Sequence, residues 1–213
     1  MDGLSEERRA IDAGSSNAFF QALFATTTVM AILRGLPPDE TVALCARAWE
    51  AGIDVIEVPI ESPNAHKSLF AAATAAERRG RFIGVGTVTR VDQIDIALKA
   101  GAAFTVAPGL ETTVVAASLR AGLPHLPGVA TPSEVQFAVR HGLCWVKLFP
   151  AAELSPEWLR AIRAPFPDLC VVATGGIDAY NAGAFLSAGA RAVAVGSALA
   201  DPAQVPLLAN LRA

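Results

Sequence analysis

One motif recurs often enough to dictate the fold class. Six times a small or charged residue is followed by Gly and then by a short apolar run: Ala51-Gly52 before IDVIEVPI, Arg79-Gly80 before RFIGVGTV, Ala100-Gly101 before AAFTVAPG, Ala121-Gly122 before LPHLPGVA, His141-Gly142 before LCWVKLFP and Ala188-Gly189 before ARAVAVGS. A helix commonly stops at a residue in the left-handed conformation, where Gly alone avoids a steric cost. Each pair therefore reads as a helix end feeding a buried strand. Alanine-rich stretches with helical spacing, such as AHKSLFAAATAAERR and RVDQIDIALKA, fill the intervals. Helix starts are marked by Pro38-Asp39, by Thr131-Pro132 and by Asp178 before AYNAGAFLSA.

Eight strands are expected, at 28–33, 53–58, 82–86, 103–107, 123–127, 144–149, 169–174 and 191–195, with starts 20 to 29 residues apart. Strand, helix, strand at that regularity implies a parallel sheet, and eight units imply closure into a single (β/α)8 TIM barrel. A doubly wound open sheet is the alternative. Hydrophobic residues make up 53% of the 213 residues and charged ones 17%, which suits strands covered by helices on one face and packed inside a barrel on the other. Residues 1–16 read as a disordered leader and 17–25 as an extra N-terminal helix on the barrel floor. Residues 17–213 form one domain, with no linker.

A formal net charge of −3 gives no nucleic-acid or membrane-surface footprint. The opening MDGLSEERRAID is charged where a signal peptide would be apolar. The stretch from Ala13 to Leu33 carries no charge and has about the length of a membrane helix, but its Gly, Ser, Asn, Gln and Thr content favours a helix followed by a strand. Cys45, Cys144 and Cys170 form no CxxC pair and read as buried free thiols of a reducing compartment. A cytoplasmic protein with no nucleic-acid or membrane partner is expected.

Lys147 stands out. Only three lysines occur, and Lys67 and Lys99 fall on the outer faces of alanine-rich helices. Lys147 lies inside Cys144-Trp145-Val146-Lys147-Leu148-Phe149, a strand otherwise apolar. Lysine is almost never fully buried without a partner. An amine kept from water favours its uncharged form, which is the nucleophile of Schiff-base chemistry. The bland alternatives are a strand end reaching solvent or a buried ion pair.

Glu57 repeats the anomaly in Val55-Ile56-Glu57-Val58-Pro59. If both side chains point inward, the second and sixth strands bring a carboxylate and an amine together, an arrangement suited to proton transfer. Arg34 closes the first strand, where a guanidinium can hold a carboxylate bidentately. Thr87, in Gly84-Val85-Gly86-Thr87-Val88, closes the third with a hydroxyl. Gly175-Gly176 after the seventh strand and Gly196-Ser197 after the eighth sit where barrels often cradle phosphate on backbone N–H groups. His66, His125 and His141 are scattered and read as ordinary helix or loop residues. No carboxylate–histidine cluster, dinucleotide fingerprint, Walker motif or GxSxG elbow appears.

In order, AILRG, IEVPIESPNA, IGVGTV, TVAPGL, LPGVATPSE, VKLFPA, TGGI and VGSAL cover about residues 28 to 199. Together they resemble the 2-keto-3-deoxy-6-phosphogluconate (KDPG) aldolase family, including its galactonate (KDPGal) branch. The resemblance implies a class I, Schiff-base aldolase acting on phosphorylated keto sugar acids, with no cofactor and no metal, usually a homotrimer. It places the Schiff-base lysine on Lys147 and the acid–base glutamate on Glu57. It puts Thr87, Pro108 and Phe149 around the pyruvate-derived part of the substrate, and phosphate on Gly175, Gly176, Gly196 and Ser197. Many members carry an arginine four residues after the glutamate; here that position is Glu61, so the role of holding the substrate carboxylate is expected to pass to Arg34. Two rivals stay open: a phosphate-binding barrel isomerase or lyase using Lys147 and Glu57 as non-covalent acid and base, and a non-catalytic sugar-phosphate sensor.

Overall fold

The computed structural model describes residues 10–211. Helix α1 (Ala13–Leu23) precedes β1 (Val29–Ile32). Strands and helices then alternate: α2 (Pro38–Glu50), β2 (Val55–Pro59), α3 (Pro63–Glu77), β3 (Gly84–Gly86), α4 (Asp92–Lys99), β4 (Phe104–Val106), α5 (Thr112–Arg120), β5 (His125–Leu126), β6 (Gly128–Val129), α6 (Pro132–Arg140), β7 (Trp145–Leu148), α7 (Ala151–Arg163), β8 (Cys170–Thr174), α8 (Ala182–Ser187) and β9 (Ala192–Val195). A short 3-10 turn (Ser197–Ala200) and α9 (Gln204–Ala209) follow.

Neighbouring strands run in the order β5-β4-β3-β2-β1-β9-β8-β7-β6, and the pairs are parallel. β5 and β6 are the two halves of one strand broken at Pro127, so both edges of the sheet meet in the segment 125–129 and the barrel has eight staves. The break has a simple cause: proline has no N–H to give the ladder. Its carbonyl still accepts from Lys147 N at 2.8 Å, while Gly128 N turns aside to Gly109 O at 3.1 Å. Each of the eight starts within two residues of its expected position, and the fifth runs on to Val129.

The glycine signal works as expected. Gly52, Gly80, Gly101, Gly122, Gly142 and Gly189 take φ between +63° and +104°. The next residue's N–H then reaches the carbonyl five positions back, as in Ile53 N to Ala48 O and Leu143 N to Ala138 O, at 2.9 and 3.0 Å. In five of the six cases that next residue (Ile53, Ala102, Leu123, Leu143, Ala190) is apolar and buried, so the stop that ends the helix also anchors the following strand.

Two cores result. The outer one fills the space between strands and helices, with Ile56, Val58, Val85, Val146, Val171 and Val193 pointing outward. The inner one fills the barrel with Met30, Ile32, Val55, Phe104, Val106, Leu126, Trp145 and Val172. Phe20 and Phe24 of α1 join it and close the floor, Phe24 stacking on Trp145 with ring centroids 5.4 Å apart.

The expected leader of residues 1–16 is corrected at its C-terminal end. Asp12 caps α1 by accepting from Ser15 N at 2.7 Å, so residues 13–16 are helical and the helix spans 13–23 rather than 17–25. Tertiary contacts hold it there. His125 N donates to the buried Ser16 hydroxyl at 3.0 Å, and Asn17 bridges Gly142 O and Cys144 N. The rest of the expected leader, residues 1–9, lies outside the described residues. The uncharged stretch 13–33 is α1 followed by β1, and among the described residues no helix is long and apolar enough to cross a membrane. Asp178 does not start α8 directly; it organises the turn before it, accepting from Tyr180 N and Asn181 N.

Candidate active site

Strand alternation decides which side chains enter the barrel. On β2 the inward residues are Val55, Glu57 and Pro59; on β7 they are Trp145 and Lys147, with Phe149 just beyond the strand. Glu57 is 0% exposed and Lys147 2%. The sequence expectation that both anomalous residues are buried and face inward therefore holds.

The glycines of β3 make the room. A Cβ at Gly84 would overlap the Phe104 ring, and one at Gly86 would overlap the Glu57 carboxylate. The GVG strand thus accepts an aromatic ring low in the barrel and a carboxylate above it. In the sequence alone these glycines are legible only as flanks of Thr87.

Neither Glu57 oxygen has a hydrogen-bond partner. No ion pair within 4.0 Å joins Glu57 to Lys147; the four ion pairs among the described residues involve partly exposed side chains elsewhere. Lys147 Nζ lies over the Phe149 ring, 5.4 Å from its centroid, within cation–π range. The buried salt bridge considered from sequence is thus not formed. A carboxylate removed from water without hydrogen bonds costs stability, so its retention here points to use rather than to architecture.

The rim lies at the C-terminal ends of the strands. Arg34, just past β1, donates from Nη2 to Thr87 Oγ1 at 3.1 Å, and its Nη1 lies 3.6 Å from Glu61 Oε2. Thr87 holds φ at +60°, which is unusual for a β-branched residue and of the kind found at functional sites. Sequence reasoning singled out Arg34 and Thr87 separately but not their contact, nor that Glu61 would lie against Arg34. Pro108 is half-buried beyond β4, its carbonyl packed on Gly128, where a Cβ would overlap it.

Two glycine loops complete the rim. Gly175 and Gly176 take φ of +96° and +69°. A Cβ on Gly175 would touch the Phe149 ring at 3.0 Å, so this loop and the ring beside Lys147 are in close contact. Asn181, which the sequence reading did not flag, donates from Nδ2 to Gly176 O at 2.7 Å and accepts at Oδ1 from Asp178 N at 3.0 Å. Gly196 leads into the 3-10 turn beginning at Ser197. A Cβ there would clear Ile32 O by 3.7 Å, so packing alone does not demand glycine at that position. Gly176 and Ser197 are exposed.

Away from the site, His125 corrects the reading of the three histidines. It is a fully buried strand residue, and burial pushes its pKa down to about 4. Burial likewise pushes the Cys45 thiol up to about 12. All three cysteines are free, but only Cys45 is buried; Cys144 and Cys170 are partly exposed. Among the described residues no three His, Cys, Asp or Glu side chains converge as metal ligands.

A family profile described as KDPG and KHG aldolase matches residues 21–207. The chain is 35% identical over 175 residues, 82% of each chain, to a probable 2-dehydro-3-deoxy-6-phosphogalactonate aldolase of Rhizobium meliloti. It is 33% identical over 172 residues, 80% of this chain and 83% of the other, to the 2-dehydro-3-deoxy-6-phosphogalactonate aldolase of Escherichia coli. Among solved structures it resembles the KDPG aldolase of Legionella pneumophila with pyruvate captured at low pH as a covalent carbinolamine intermediate. The TM-score is 0.75, at 29% identity and covering 88% of this chain and 93% of that one.

Proposed function

Because the chain belongs to the KDPG and KHG aldolase family, we propose that it is a class I aldolase cleaving 2-keto-3-deoxy-6-phospho sugar acids to pyruvate and D-glyceraldehyde 3-phosphate. The observation that carries this reading is the pair Lys147 and Glu57, both sealed inside the barrel, both on inward positions and not joined in an ion pair.

The Lys147 amine attacks the C2 ketone and forms a carbinolamine, which loses water to give an iminium. Glu57 takes the proton of the C4 hydroxyl. The C3–C4 bond breaks, its electron pair flows into the iminium, and C4 leaves as the aldehyde of glyceraldehyde 3-phosphate. Protonated Glu57 returns its proton to C3 of the enamine, and water hydrolyses the resulting iminium to pyruvate and free amine. Arg34 and Thr87 hold the C1 carboxylate, with Pro108 and Phe149 walling the pyruvate half. Gly175, Gly176, Gly196 and Ser197 hold the distal phosphate, whose binding positions the reacting bond. The protein on this reading works in the cytoplasm as a homotrimer of single-domain barrels and uses no cofactor.

The test is borohydride reduction in the presence of pyruvate, followed by peptide mapping. A reduced adduct on Lys147 is expected, with Lys147→Ala losing about 10³-fold or more in kcat. A label on another lysine, or a loss of only about tenfold, rejects covalent catalysis by Lys147. Pyruvate release from KDPG and KDPGal measured side by side identifies the C4 series.

A further inference from the structure

The arginine assigned above to the substrate carboxylate already has a carboxylate beside it. Arg34 and Glu61 both stand on the rim, two residues beyond the inward positions Ile32 and Pro59. The guanidinium is engaged on two sides, by the Thr87 hydroxyl at 3.1 Å and by Glu61 at 3.6 Å, with the two charged side chains 49% and 32% exposed. An ion pair this exposed and this long is weak. It is strong enough to orient a flexible side chain and weak enough to be exchanged. Glu61 also lines a groove of about 420 Å³ outside the barrel mouth, whose wall includes Ser62, Asn64 and Lys67.

We propose that Glu61 is a positioning residue acting through Arg34: an internal counter-ion that holds the guanidinium in place and is displaced by the carboxylate of the incoming 2-keto acid. The inference rests on the aldolase reading and on Arg34 as the carboxylate site. Every ligand that brings a carboxylate must displace Glu61, so carboxylate affinity is lowered for substrate and for pyruvate alike. A neutral ketone that does not engage Arg34 does not meet this competition.

Half-saturation of borohydride trapping on Lys147 measures the exchange directly, with pyruvate and its neutral amide as probes. Glu61→Gln is expected to lower the pyruvate value about two- to fivefold, the range of an exposed pair, and to leave the amide value unchanged. KM for the phospho sugar acid should fall in the same proportion with kcat unchanged. In the Arg34→Ala background the Glu61→Gln effect should vanish, since the two residues act as one coupled pair. An unshifted pyruvate value, an equal shift with the amide, or an effect that survives Arg34→Ala overturns the assignment of Glu61 alone. Absence of any Lys147 adduct in the wild-type protein overturns the aldolase reading and this inference with it.

Discussion

Gly86 lies directly under the carboxylate of Glu57, so closely that a methyl group on Gly86 would occupy the same space. The buried glutamate and the small residue of the neighbouring strand are therefore one device. Gly86→Ala must push the carboxylate aside or bend β3. Displacements of about 1 Å at reacting groups cost about 10²-fold, so kcat should fall by about that factor while Lys147 still traps pyruvate. Steady-state kinetics together with borohydride trapping check this; an alanine variant with full activity would show that the carboxylate position is unimportant.

Glu57 should cost the fold stability. Its oxygens are buried and lack hydrogen bonds, and removing a buried polar group that has no partner relieves its desolvation penalty. Glu57→Met, linear and apolar, is expected to raise unfolding free energy by roughly 1–3 kcal/mol and to lose about 10²-fold or more in activity. Denaturant unfolding and a turnover assay read the two effects. A variant that is both less stable and active would contradict the assignment.

Asn181 holds the carbonyl of Gly176 through its side-chain amide, and its own side-chain oxygen is held by the backbone of Asp178. Removing that clamp frees a loop whose glycines both take positive φ. Asn181→Ala should raise KM for the phosphorylated substrate by about tenfold, the worth of one such hydrogen bond. Pyruvate carries no phosphate, so its trapping on Lys147 should be unchanged. Equal losses for both ligands would place the effect elsewhere.

His125 gives a pH dependence of stability with a defined sign. Its Nδ1 is 2.7 Å from Thr105 Oγ1, which is 2.7 Å from Ser118 Oγ, which donates to Leu123 O at 3.0 Å. Its Nε2 has no partner, so a proton added to this buried ring would bring an unsatisfied charge. The folded pKa is lowered to about 4 from 6.5, and the unfolded chain binds the proton first. The stability is thus fully present above pH 6.5 and is lost as pH falls toward 4, by about 3 kcal/mol in all. The difference in denaturant midpoint between the wild type and His125→Asn, followed from pH 7 to 4, isolates this contribution from carboxylates titrating in the same window. Parallel curves would disprove it.

The strands were legible because glycine punctuates the chain and a left-handed helix end is a local property. Lys147 and Glu57 were legible for a related reason: a charged residue in an apolar strand conflicts with its surroundings whatever the tertiary details. What escaped depends on contacts distant in sequence. Ala13 to Ser16 read as a flexible run, yet Ser16 is tied to His125 and Asn17 to Cys144. The break in the fifth strand did have a local signal in Pro127, whose missing N–H marks the point where the ladder is interrupted. The pairing of Arg34 with Glu61, the left-handed Thr87 and the clamp of Asn181 on Gly176 join separate loops or require a backbone conformation that residue type does not announce.

Phe20 and Phe24 plug the floor beneath Trp145, and this closes the barrel at the N-terminal ends of its strands. On the proposed reading, the phosphate-bearing fragment departs first toward the strand ends, and the fragment bonded to Lys147 follows. In the reverse direction, on the same reading, the keto acid joins Lys147 before its aldehyde partner arrives, and both come from the side away from the aromatic plug.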